Sequence, residues 1–112
     1  MTQEERLEKT EKIVNNIYRI LDESDEETQS DKAIEELSEL IRAIVRYRQS
    51  PSNDTSDGMS NAYKNLMEEI ADVQIMLCQL TTLYGIFDDE LYNLMLAKTE
   101  RTLERLGAND NR

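Results

Sequence analysis

Residues 61–85 read NAYKNLMEEIADVQIMLCQLTTLYG and decide the fold of this chain. Apolar residues occupy two opposite faces of a helix drawn through this stretch: one face carries Leu66, Ile70, Val73, Leu77, Leu80 and Tyr84, and the other carries Met67, Ala71, Ile75 and Cys78. A helix that is apolar on both sides is usually buried on both. We therefore predict a helix from about Asn61 to Tyr84, ended by Gly85, at the centre of the fold or at a subunit interface.

Three more helices are predicted from apolar residues at helical spacing. The first runs from about Gln3 to Asp22, with residues 22–30 as a turn. The second runs from about Thr28 or Ser30 to Gln49, and the fourth runs to about Leu106 with Asp88 or Asp89 as its cap. The apolar stripe of the second helix is Ile34, Leu37, Leu40, Ile41, Ile44 and Val45.

The remaining segments are predicted as connections. Residues 50–60 are rich in Ser, Asn and Asp and form a loop, and residues 108–112 form a frayed tail. Residues 1–112 then make a single all-α domain, a four-helix bundle-like arrangement that we expect to be completed by oligomerisation.

The composition excludes several classes of function. With 24 acidic and 13 basic residues the net charge is −11, which argues against nucleic-acid binding and against binding to anionic membranes. No apolar run approaches 18 residues and the N-terminus is polar, so neither a transmembrane helix nor a signal peptide is expected. The single cysteine, Cys78, cannot form an internal disulfide and fits a reducing cytoplasm; we expect it to pack in the core.

The absence of histidine narrows the chemistry further. It excludes Ser–His and Cys–His nucleophiles, histidine-ligated zinc and histidine general bases. Any hydrolysis must depend on carboxylates, Lys, Tyr or a metal ion.

Two pairs of carboxylates stand out against this background. Glu36 and Glu39 lie three residues apart on the second predicted helix, and Glu69 and Asp72 lie three residues apart on the third, so each pair projects from one side of its helix. Glu69 falls inside the apolar arc near Val73, where an unpaired charge is costly. Two facing pairs form an oxygen-lined site for a hard cation such as Mg²⁺. The competing interpretation is a solvated acidic surface.

Cations on the fourth helix are the second unusual feature. Lys98 lies within the apolar stripe, and Arg101 lies at its edge. Either Lys98 extends past the stripe to water or pairs with Glu69, or these cations hold phosphate oxygens beside the metal site.

Two motifs lie on consecutive long helices: Glu-Glu-x-x-Glu at 35–39 and Glu-x-x-Asp at 69–72. In this combination the chain resembles the MazG family of all-α nucleoside triphosphate pyrophosphohydrolases. The resemblance covers about residues 28–106 and includes the basic segment 98–101. It implies that Glu36, Glu39, Glu69 and Asp72 are Mg²⁺ ligands, with Mn²⁺ as a substitute. It also implies that Lys32 and Lys98 contact the triphosphate.

The implied reaction cleaves a nucleoside triphosphate between the α- and β-phosphates, with water as the nucleophile and Glu36 or Glu39 orienting or deprotonating it. The expected assembly is a homodimer or homotetramer, without nucleic-acid or membrane partners. Two alternatives remain open: a non-catalytic helical protein whose acidic face binds a basic partner, and a family member that binds nucleotide or metal without hydrolysis. The base and sugar of the substrate are not specified by the sequence.

Overall fold

Four helices and one short hairpin make up the chain in a computed structural model that describes residues 1–51, 55–56 and 59–107. The elements are α1 (Gln3–Asp22), α2 (Glu26–Gln49), β1 (Thr55–Ser56), β2 (Met59–Ser60), α3 (Asn61–Leu83) and α4 (Asp88–Arg105). The predicted all-α class is confirmed, and the predicted tail at 108–112 lies outside the described residues. Within the predicted loop 50–60, the two strands pair antiparallel, with Thr55 opposite Ser60 and Ser56 opposite Met59.

The second helix begins earlier than predicted, so the turn predicted over residues 22–30 is shorter in the structure. The carboxylate of Asp25 accepts a hydrogen bond of 2.7 Å from the backbone N–H of Thr28, so it caps a helix that starts at Glu26. Glu26 and Glu27 then fall in the first turn, where negative charge interacts favourably with the helix dipole. The connection from α1 therefore shortens to residues 23–25.

The ends of α3 and α4 follow from their glycines. Gly85 adopts a φ of +65°, and the next N–H, of Ile86, donates to the carbonyl of Thr81 at 2.9 Å, which closes α3 in a Schellman arrangement as the sequence predicts. Gly107, with a φ of +77°, follows α4. The predicted cap of α4 is wrong, because Phe87 holds the cap position without a side-chain hydrogen bond and Asp88 is already helical.

Helices α2 and α3 form the main packed pair. Tyr47 lies against Tyr63, with ring centroids 5.9 Å apart, whereas Glu36 lies near Glu69, so the two helices run antiparallel. Small side chains line their contact: Ala33, Ala43 and Ala62 are all buried. Ala33 and Ala43 lie beside Glu36 and Glu39 on α2, and α3 is the helix that packs against them.

The apolar stripe of α2 is not the face that packs on α3. Ile34 and Ile41 are 64% and 65% exposed, and Leu37, Ile44 and Val45 are also exposed. Within the predicted stripe only Leu40, the member nearest the alanines, is half-buried. The α2 surface against α3 is thus formed by small and polar residues, and most of the aliphatic residues point away from it.

The other two helices add little core. Helix α1 packs on α3 and buries Ile17, whereas no residue of α4 (88–105, all of it described) is buried. The radius of gyration is 17.7 Å, compared with about 13 Å for a compact chain of this length. Cys78 is free and exposed, so its predicted place in the core is wrong. Within the described ranges, no helix is long and apolar enough to span a bilayer.

The cap of α2 can be tested by replacing Asp25 with alanine. Removing the oxygen that accepts from Thr28 leaves an end N–H without its side-chain partner, so we expect the Tm to fall by about 5 °C. Thermal unfolding followed by circular dichroism measures the change. Ser24→Ala removes a neighbouring hydroxyl that does not cap the helix and serves as control; an equal loss in both variants contradicts the cap assignment.

Candidate metal centre

Three carboxylates meet where α2 and α3 pack. Glu36 of α2 and Glu69 and Asp72 of α3 each place one oxygen so that the three atoms lie within 4.8 Å of one another. The spacing of three residues places Glu69 and Asp72 on one side of α3, and the antiparallel packing sets Glu36 opposite them. All three residues are half-buried. The structure therefore brings together three of the four acidic residues predicted from the sequence.

Glu36 is held by a lysine one turn earlier on the same helix. The Lys32 ammonium lies 3.3 Å from a carboxylate oxygen of Glu36 and 3.9 Å from one of Glu35. The side chain of Glu36 is only 13% exposed, but that of Lys32 is 50% exposed, so water still screens this ion pair from the lysine side. The hydrogen bond to Glu36 and then the charge of Glu35 raise the pKa of Lys32.

Glu69 carries an oxygen without a partner. Its Oε2 atom is buried, and no hydrogen-bond donor among the described residues reaches it. A buried carboxylate oxygen is costly unless it is paired, protonated or bound to a cation. Glu69 belongs to the group of three carboxylates, so the group has an unmet demand for positive charge.

The pKa values of the α3 carboxyls reflect the same demand. Removal from water raises the pKa of Glu69 above its ordinary value, and the charge of Asp72 raises it further. Removal from water, then the charge of Glu36 and a hydrogen bond with the Glu36 carboxyl, raise the pKa of Asp72. Such a hydrogen bond needs a proton on one of the two groups. A bound cation would remove that need, because its positive charge would offset the repulsion between the carboxylates.

Glu39, the fourth predicted ligand, is oriented differently. Nη1 of Arg42 donates to both oxygens of Glu39, at 3.2 and 3.3 Å, so this carboxylate is paired along its own helix. Its charge nevertheless contributes to the raised pKa of Glu69. Glu39 therefore flanks the group of three in the structure, and its role as a ligand stays a prediction.

The basic residues predicted on the fourth helix lie apart from the carboxylates. Helix α4 packs only slightly on the rest of the described chain, and within that part no ion pair joins Lys98 or Arg101 to an acidic residue. The alternative pairing of Lys98 with Glu69 is wrong. Of the predicted triphosphate contacts, only Lys32 lies beside the site in a single chain.

Two buried glutamines near the site were not predicted. Gln29 is seven residues before Glu36, and Gln79 is seven residues after Asp72, so each lies two helical turns from the carboxylates on the same face. Both side chains are buried, and neither Oε1 atom has a hydrogen-bond partner among the described residues. The sequence offered one signal for Gln29: it is spaced by four and seven residues from Ala33 and Glu36, and so lies on the same face of α2.

The donor set suits a hard divalent cation. It consists of carboxylate oxygens alone, which is the chemistry that Mg²⁺ and Mn²⁺ prefer, and the partnerless oxygen of Glu69 offers a ligand atom that nothing else uses. Comparison with protein-family models, curated proteins and solved structures finds no match to this chain. The interpretation of the site therefore depends on its residues.

The raised pKa values predict a pH dependence of stability in metal-free protein. The folded chain holds protons on Glu69 and Asp72 more tightly than the unfolded chain, so their contribution is fully present below their ordinary values of 4.5 and 3.8 and is lost as pH rises through the raised values. Chemical unfolding in EDTA across this range measures it. We expect Glu69→Gln to lose less stability than wild type as pH rises; parallel curves contradict the assignment.

Proposed function

We propose that this chain is a Mg²⁺-dependent nucleoside triphosphate pyrophosphohydrolase. It cleaves its substrate between the α- and β-phosphates and releases a nucleoside monophosphate and pyrophosphate. The observation that carries the proposal is the group formed by Glu36, Glu69 and Asp72. One oxygen of each lies within 4.8 Å of the others, and Oε2 of Glu69 is buried without a hydrogen-bond partner among the described residues. The resemblance of segments 35–39 and 69–72 to the MazG family supports the type of reaction.

Four carboxylates have roles in the proposed reaction. Glu36, Glu69 and Asp72 would hold Mg²⁺, with Mn²⁺ as a substitute and Glu39 as a further ligand. The ion would supply positive charge to the phosphate oxygens and acidify water. Glu36 or Glu39 orients the attacking water and accepts its proton, since the chain contains no histidine.

Lys32 is the proposed contact to the triphosphate within one chain. Its ammonium lies 3.3 Å from a carboxylate oxygen of Glu36, one of the proposed Mg²⁺ ligands. A lysine acts there as a point charge on a flexible stem, so it can leave Glu36 for a phosphate oxygen. In doing so it offsets part of the repulsion between the acidic site and its substrate.

The finer architecture is part of the same proposal. A four-helix NTP pyrophosphatase fold, completed by oligomerisation as a homodimer or homotetramer, accounts for α4, which exposes its apolar residues in the single chain. Lys98 and Arg101 on α4 then reach a triphosphate only in the assembly. A free cysteine fits a reducing cytoplasm.

A substrate panel tests the activity. Purified chain is incubated with each common NTP and dNTP, and pyrophosphate release is measured with Mg²⁺, with Mn²⁺ and with EDTA. We expect release from at least one substrate with either metal ion and none in EDTA. Absence of release from the whole panel contradicts the enzyme and favours a nucleotide-binding or acidic interaction protein.

Glu69→Gln tests the metal site. The change keeps the size of the side chain but removes a ligand charge, and since outer-shell substitutions already cost 10–100-fold, we expect a loss of about 100-fold or more in kcat/KM. Mg²⁺ affinity is measured in parallel by calorimetry, and helical content by circular dichroism. Glu11→Gln, an exposed acid on α1, is the matched control. Full activity in Glu69→Gln refutes the assignment of the site.

Lys32→Met separates the triphosphate contact from the metal ligands. Loss of a hydrogen bond to a charged group should raise KM about tenfold or more, whereas Mg²⁺ affinity without substrate should stay equal or increase because Glu36 loses a competing cation. Steady-state kinetics and calorimetry measure the two effects. Weaker Mg²⁺ binding with unchanged KM contradicts the role of Lys32.

A further inference from the structure

The aliphatic residues on the outer side of α2 form a continuous exposed row. Ile34, Leu37, Ile41 and Ile44 are spaced by three, four and three residues and are 40–65% exposed, with Val45 beside them. We call these five residues the outer stripe. The spacing is that of a two-heptad seam, in which Ile34 and Ile41 occupy a positions and Leu37 and Ile44 occupy d positions.

The chain itself leaves the outer stripe open. At 100° per residue, the stripe is centred more than 90° around α2 from Glu36 and Ala43, which face α3. Helix α1 packs on α3, and α4 packs only slightly on any described element. A soluble helix does not ordinarily leave a row of five aliphatic side chains in water.

The chain as a whole exposes more surface than a compact monomer. The accessible surface is 9431 Å², whereas a compact chain of 13.1 kDa exposes about 6,400 Å². The excess of about 3,000 Å² is larger than the ~800 Å² that each partner buries in a standard interface. The outer stripe is one part of this excess.

The charges at the ends of the outer stripe favour a second copy in antiparallel orientation. Glu27 and Asp31 flank the N-terminal end of the stripe, and Arg48 flanks the C-terminal end. Pairing Ile34 with Ile44 and Leu37 with Ile41 of the other copy sets these acids beside the other copy's arginine at both ends. A parallel pairing instead sets like charges together. The surface is therefore complementary to itself, as a two-fold interface requires.

We propose that the outer stripe is the seam of a homodimer in which α2 packs antiparallel on α2 of a second copy. Each α2 then has two packed faces: Ala33 and Ala43 against α3 of its own chain, and the stripe against the partner. The carboxylates of each copy stay on the inner face, away from the seam. The inference specifies the oligomer named with the proposed function, but it does not depend on hydrolysis.

Disulfide trapping tests the orientation. In the proposed pairing the two-fold axis crosses α2 at position 39, so the two copies of Ser38 lie at the edge of the seam with an offset of about 3 Å along the helices. Ser38→Cys in a Cys78→Ser background should form a covalent dimer on mild oxidation. Arg46→Cys in the same background faces away from the stripe and should stay uncrosslinked. Absence of the Ser38→Cys dimer, or equal trapping in both variants, overturns the proposal.

Sedimentation velocity tests which surface carries the dimer. Wild type should sediment at twice 13.1 kDa, and Ile41→Lys should dissociate or unfold in a concentration-dependent way. Leu7→Lys changes an α1 leucine of similar exposure, 59% against 65%, and should stay dimeric. A monomeric wild type, or dissociation by Leu7→Lys and not by Ile41→Lys, overturns the seam.

The same preparations separate this inference from the proposed enzyme. If wild type is dimeric but releases no pyrophosphate, and Ser38→Cys is trapped as a covalent dimer, the enzyme is contradicted and the seam is retained. An active wild-type monomer contradicts the seam and retains the enzyme.

Discussion

The close approach of α2 to α3 through alanines is the contact on which the rest of the structure depends. Ala33, Ala43 and Ala62 present only methyl groups at the contact, so the helix backbones can come near enough for side chains beside them to meet. Glu36 thereby reaches Glu69 and Asp72 across the two helices. Larger residues at the alanine positions would separate the carboxylates, and the group of three would no longer surround one point.

That contact reverses the ordinary distribution of residues around α2. The inner face is narrow and partly charged, and the aliphatic residues that ordinarily form a core lie outside. A charged inner face is stable only when its oxygens are satisfied, which Lys32 does in part for Glu36 and a cation would do for Glu69. An exposed aliphatic face is stable only when another surface covers it. The carboxylate group and the proposed dimer seam thus both follow from the packing of the alanine face of α2, and not its aliphatic face, against α3.

Helix positions were predictable because they depend on local spacing and capping. The limits of α1 and the end of α3 at Gly85 follow from apolar periodicity and from the left-handed φ that glycine permits. The start of α2 was missed because Asp25, in an acidic segment read as a turn, caps the helix through Thr28. The acidic pairs were predictable as pairs, because three-residue spacing fixes their direction. The pairing of Glu39 with Arg42 was not predictable, because from its place on α2 the Glu39 side chain can turn either towards α3 or towards Arg42 on its own helix.

The sequence by itself determined that the chain is helical, where its helices lie and which acids share a side of each helix, since all three depend on neighbours within a few residues. Only the tertiary structure decided that Glu36, Glu69 and Asp72 converge, that Lys98 and Arg101 lie elsewhere, and that the outer stripe faces water. The physical reason is that α2 has two possible packing faces, one aliphatic and one small and charged. Apolar periodicity in the sequence favours the aliphatic face as the packing face. In the structure the small, charged face packs instead, because its alanines let the backbones of α2 and α3 come close together.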